Sequence, residues 1–150
     1  MKRFRFPLRP VAVVRAHKEL RAKEIFAAAI HEYVQAEERL ATTRTRIAEL
    51  EGALHDARGG RFLADEAANL FRVYRSERQA ELTVEREVIE ARDMMGRRRS
   101  EYLEAHRQLE VVNRLEEKAR GLHRAEGLRQ EQAQIDEFAG YAASKRAAIS

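Results

Sequence analysis

Phe26, Tyr33, Leu40, Ile47 and Leu54 recur at every seventh position, and three residues after each stands Ala29, Ala36, Thr43, Leu50 or Ala57, all small or apolar. Such a stripe stays on one side of a helix only when two helices wrap around each other, because a straight helix drifts by about 20° per heptad. The pattern therefore predicts a coiled-coil seam. A second seam follows, with Ala67, Tyr74, Glu81, Val88, Met95, Tyr102 and Leu109 accompanied three residues on by Leu70, Glu77, Val84, Ala91, Arg98, Ala105 and Val112. Between the two lies Gly59-Gly60, and adjacent glycines end a helix readily because they accept the left-handed conformation of a C-cap. Asp65 is expected to cap the next helix by accepting from its free amides, with Glu66 adding a favourable charge. The fold class is all-α, a single long antiparallel two-helix coiled-coil hairpin. Its expected parts are an arm over about 1–10, helix over about 11–58, a turn at 59–64, helix over about 65–140 and a tail from 141 to 150.

In an antiparallel pair the facing residue numbers have a constant sum. One such register sets Leu54 against Leu70, Leu50 against Tyr74, Leu40 against Val84, Ala36 against Val88, Tyr33 against Ala91, Ala29 against Met95 and Ala22 against Tyr102. Large side chains then meet small ones, as interior packing density requires. Three layers break the rule: Ile47 meets Glu77, Thr43 meets Glu81 and Phe26 meets Arg98. Either the charged heads reach water along their own stems, or they fix the register against alternatives. The paired length is roughly 70 Å at about 1.5 Å per residue. Beyond residue 115 the second helix overhangs, and Leu115, Ala119, Leu122, Leu128, Ile135 and Phe138 form an apolar stripe whose one partner in the chain is the Phe4-Phe6-Leu8 segment. Gly121, Gly127 and Gly140 weaken that stretch by up to about 1 kcal/mol each relative to Ala, which points to ordering on binding.

Composition agrees with the pattern: 44% hydrophobic and 36% charged residues, two prolines, no Trp and no Cys. Pro7 and Pro10 both precede the first seam, so nothing after them removes a helical donor. The lack of cysteine excludes a disulfide framework and a thiolate metal site and suits a reducing cytosol. Val11–Val14 is too short for the apolar core of a signal peptide, and no stretch approaches the roughly 20 apolar residues that span a bilayer. The chain is expected in the cytoplasm, at most peripheral to a membrane. Net charge is +4, with 29 Lys and Arg interleaved among 25 Asp and Glu, the pattern of a solvated helix surface. The N-terminal stretch departs from this balance: Lys2, Arg3, Arg5, Arg9, Arg15, Lys18, Arg21 and Lys23 face only Glu19 and Glu24. That field either draws anionic partners or solvates a tail.

No phosphate-binding glycine loop, nucleophile elbow, HExxH or Cys/His zinc spacing occurs, and a two-helix pair offers no concave pocket. An enzyme is not expected, nor any cofactor or metal. His17 and His106 come near each other in the register as a surface pair. Arg97-Arg98-Arg99 has acidic flanks, and the Gly-Gly fold-back breaks the continuous helix of a basic zipper, so nucleic acid is not expected as a partner. Phe62, Leu63 and Phe71 fall beside the turn as ordinary exposed apolar groups or as a small recognition patch.

The arm Phe4-x-Phe6-x-Leu8-x-x-Val11-x-x-x-Arg15, followed by an Ala- and Glu-rich helix, resembles the start of the flagellar export protein FliJ family. The far end resembles it too, in Leu115-Glu116-Glu117-Lys118, Glu126, Arg129-Gln130-Glu131-Gln132 and Asp136-Glu137; Gly121 and Gly127 depart from an ordinarily glycine-poor helix. The likeness covers the whole chain. It implies a stalk without catalytic residues, like the central shaft of rotary ATPases, whose joined termini enter the hexameric export ATPase FliI, with its regulator FliH, and which contacts the membrane export gate FlhA. Export chaperones are further partners in that setting, and direct membrane insertion is not. By that analogy Phe4, Phe6, Leu8, Leu115, Leu122, Leu128 and Ile135 would meet the ATPase ring, and Leu70, Phe71 and Tyr74 would meet the gate. The alternatives are the equivalent stalk of a virulence injectisome, or a self-associating structural tether.

Overall fold

Alanine, leucine, glutamate and arginine, which dominate the chain, lose little on entering a helix. In a computed structural model that describes residues 2–61 and 63–149, they form two long helices packed against each other in a hairpin, α1 over Arg9–Asp56 and α2 over Ala64–Ile149. The helix start lies two residues before the expected one, because Pro10 sits in the first turn, where its missing N–H has no helical partner to lose. The Leu8 carbonyl accepts the Ala12 amide at 2.9 Å as the first helical bond, and the Phe6 carbonyl accepts the Arg9 amide at 3.1 Å.

The glycines end α1 as their backbone freedom predicts. Ala57–Arg61 forms a wide turn in which Gly60 takes φ 84° and ψ 15°, the left-handed conformation, whereas Gly59 does not have a positive φ. Asp65 does not cap α2. The Leu63 carbonyl accepts the Ala67 amide at 3.0 Å, so α2 begins one residue before Asp65, which lies with Glu66 inside the first turn and offers charge to the free amides there. At its other end α2 continues through the expected tail to Ile149, and Gly121, Gly127 and Gly140 do not interrupt it. Phe62 lies outside the described residues.

The chain divides into two compact units, Leu20–Glu104, which holds the turn, and Met1–Glu19 with Ala105–Ser150, which holds the termini. In the first, the shielded positions of α1 run Ala22, Phe26, Ala29, Tyr33, Ala36, Leu40, Thr43, Ile47, Leu50 and Leu54, alternately three and four apart. On α2 the same alternation runs from Ala67 and Leu70 to Arg98 and Tyr102. Both seams are the ones that the heptads predict. Ala36 is fully buried, and Ala29, Leu40, Thr43 and Ile47 are nearly so. Small seam residues let the helix axes approach, and the larger partners fill the remaining space.

The three discordant layers resolve at the shoulders of the seam. Glu77 lies 4.0 Å from Arg46, Glu81 lies 3.3 Å from Arg78, and Arg98 lies 3.0 Å from Glu101, so each charged head leaves the seam for a flanking partner. Phe26 is half-buried in the seam. Its ring stacks on Tyr102 in the adjacent layer, centroids 6.1 Å apart and planes within 10°. Arg44–Glu85 at 3.2 Å and Arg39–Glu87 at 3.6 Å bridge the helices on opposite sides of the seam. Exposed pairs of this kind contribute about 0–1 kcal/mol each, so they mark the register more than they stabilise it.

The turn gives a clean contrast. Gly60→Ala, which places a Cβ at positive φ, is expected to destabilise the hairpin by about 1–2 kcal/mol, whereas Gly59→Ala should be neutral or slightly stabilising. Urea unfolding followed by helical circular dichroism measures both, and equal effects would contradict the left-handed assignment.

A candidate partner interface at the paired termini

In the unit that holds the termini, Ala12, Arg15 and Glu19 of α1 continue the alternation, as do Ala105, Leu109, Val112, Glu116, Ala119 and His123 of α2. Val112, 1% exposed, is the most buried large side chain there. Arg15 donates to the Gln108 carbonyl at 3.0 Å, and Glu19 lies 3.5 Å from His106 Nδ1. His106 thus meets a carboxylate, and the expected partner His17 is exposed.

The arm packs on α2. Phe4 lies against the His123 ring at 5.5 Å, with the Arg120 guanidinium 5.0 Å from the Phe4 centroid, close enough for a cation–π contact. Glu116 takes Arg9 at 3.0 Å and Arg120 at 3.1 Å, its carboxylate only 15% exposed between two cations. Pairing therefore reaches His123 and does not stop near residue 115. Phe6 is half-buried and Leu8 is exposed. The sequence carries one signal for Arg120, its spacing of four from Glu116; the Phe4 contact is long-range and leaves no periodic trace.

The apolar stripe expected over 115–138 is two stripes. The seam there is Glu116, Ala119 and His123, so Leu115 and Leu122 stand on its shoulder, exposed. Leu128 comes five residues after His123, roughly 140° round the helix at about 100° per residue, and from it Ile135, Ala142 and Ile149 follow at sevens, with Phe138 three after Ile135. The phase has shifted. Leu128, Ile135, Phe138 and Ile149 are all more than 60% exposed. Beside this start, Lys2, His123, Arg124, Gly127 and Leu128 line a shallow hollow of about 340 Å³.

Three residues of the C-terminal motif engage one another. Arg129 forks both oxygens of Glu126 at 3.1 and 2.8 Å, and Gln130 donates to the same carboxylate at 3.4 Å. The hydrogen bond from Arg129 holds the Glu126 carboxyl below the usual carboxylate range. Charge is concentrated in this unit, with fourteen Lys and Arg against eight Asp and Glu, while Leu20–Glu104 carries fifteen against seventeen.

Near the turn, Leu70 is half-buried in the seam, and Tyr74 is half-buried with its hydroxyl donating to Glu51 at 3.2 Å. Phe71 stands on the shoulder, its ring 6.4 Å from that of Tyr74 and 4.8 Å from the Arg75 guanidinium. Leu63 is exposed. Of the three residues expected at the gate, Phe71 alone is exposed. Among the described residues no three His, Asp or Glu gather into a group that could hold a metal ion, and no helix is long and apolar enough to cross a membrane.

These features define a coiled-coil hairpin with an extended, basic terminal end. The family described as flagellar FliJ protein matches residues 4–148, and the chain belongs to it. Members of that family are structural coiled-coil components of the flagellar export apparatus. No curated protein and no solved structure matches the chain.

Removing the carboxylate between the two cations should release the arm. Glu116→Gln is expected to raise amide exchange of residues 4–9 several-fold while leaving protection around Leu40 unchanged. Unaltered exchange in the arm would show that Glu116 does not hold it.

Proposed function

We propose that the chain is the central stalk of the flagellar export apparatus, seating its paired termini in the ring of the export ATPase FliI, with its regulator FliH, and reaching the export gate FlhA through the half that carries the turn. It works at the cytoplasmic face of the membrane and catalyses nothing itself. The observation that carries this reading is the terminal end of α2, where Leu122, Leu128, Ile135 and Phe138 are exposed on a helix that outruns its intrachain partner. A helix presenting apolar groups on more than one face fits a socket that surrounds it better than a single flat surface. The net charge of +6 on the same unit adds attraction for an acidic lining.

The chemistry of such a stalk is mechanical. Continuous helices joined by a knobs-into-holes seam keep their registry under load, so a displacement at one point is passed along the backbone. Phe4 and Phe6 brace α2 on one side and leave Leu122 and the Leu128 stripe to the ring. Phe71, with Leu70 and Tyr74 beneath it, is the gate contact in this reading, and export chaperones would dock on the outer faces.

The even spacing of Leu128, Ile135, Ala142 and Ile149 also favours a second reading, a tether that pairs this stripe with another copy of itself. The two separate by experiment. For the stalk, Leu122→Ala with Ile135→Ala should abolish stimulation of the export ATPase, the helicity of the chain should not change, and sedimentation should show a monomer at tens of micromolar. Full stimulation by the double variant would refute ring insertion, and a dimer lost on Ile135→Glu would establish the tether.

A further inference from the structure

A second apolar surface runs along the outside of the Leu20–Glu104 unit. Arg44 stands four residues after the seam residue Leu40, and Glu85 four after Glu81, and their contact at 3.2 Å shows that this position of both helices faces the same side of the hairpin. Lys23 and Ile30 on α1, and Arg92 and Arg99 on α2, occupy that position, so they line one trough. The residues one place after the seam rim it. On α1 these are Leu20, Ala27 and Val34, and on α2 they are Ile89, Gly96 and Leu103, all exposed. The result is a groove with apolar rims and three cations along its floor, about 21 Å long at 1.5 Å per residue.

Among the described residues Lys23, Arg92 and Arg99 take part in no ion pair, although Arg98 beside them pairs with Glu101. A Cβ on Gly96 would meet nothing within 4 Å, so no intrachain packing requires a glycine in the middle of this helix, where glycine weakens the backbone. At the end toward the turn, Glu37 closes the cationic stretch and accepts the Tyr33 hydroxyl at 2.7 Å.

We propose that this groove is the docking site for an acidic amphipathic helix of a partner protein. Its apolar face would lie between the rims, its backbone would pass close over Gly96, and its carboxylates would meet Lys23, Arg92 and Arg99. A second copy of this chain is a poorer occupant, because it would bring the same three cations to the same floor. The site is separate from the terminal end, and its standing does not depend on the ATPase reading.

The probe is a fluorescent synthetic helix of eighteen residues with leucines at heptad spacing and glutamates on both shoulders, titrated into the full chain. Binding should perturb the amide resonances of 20–34 and 89–103, and it should weaken at least tenfold in Arg92→Glu with Arg99→Glu. Gly96→Leu should weaken it comparably while raising the thermal stability of the free hairpin, which separates a blocked groove from a lost fold. Equal affinity for the same peptide with lysines in place of its glutamates would overturn the proposal, as would perturbations confined to other residues. A dimer that dissociates on Leu103→Glu would assign the groove to a second copy and overturn it equally.

Discussion

The structure depends on one constraint, that the two helices keep a seven-residue alternation in phase while running in opposite directions. A helix of this composition is marginal alone in water, because its polar surface leaves little apolar area to bury. Stability comes from the seam, where Ala36 and Ala29 allow close approach and Leu40, Ile47 and Tyr33 fill the opposite hollows. Any break in phase on one helix would turn that helix's stripe away from its partner. The turn at Gly60 is subordinate, since it permits the reversal without specifying which layers meet.

The same constraint explains where charge is tolerated. Glu77, Glu81 and Arg98 occupy seam positions and remain compatible with it because each reaches a flanking partner, Glu81 and Arg98 within one turn of their own helix and Glu77 across to Arg46. Glu116 is handled differently, clamped by Arg9 at the start of α1 and Arg120 from its own helix, so a single carboxylate ties the two helices together. In both cases the charge is kept at the edge of the apolar strip, where water and a counter-charge remove most of the desolvation cost.

Periodicity made the hairpin and both seams legible in the sequence, because they repeat and repeats survive a one-dimensional reading. What stayed hidden was whatever happens once. Phe4 packs on His123 across more than a hundred residues of sequence. Leu63, not Asp65, supplies the first acceptor of α2, since the helix could begin one residue earlier at no cost. The stripe over 115–138 looked continuous because apolar residues recur in it, but their phase changes at Leu128, and only angular position shows that Leu122 and Leu128 point in different directions. The terminal contacts were readable as a set of apolar and basic residues, and their division into brace and exposed surface was not.

A core one side chain thick has a further consequence. Each layer touches only the layers before and after it, so the helices behave as a chain of neighbours and not as a globule with a common centre. Damage to a single layer loosens its immediate surroundings and fades within a few turns, while distant layers keep their order. Natural variation can then reshape one stretch for a new partner without endangering the rest.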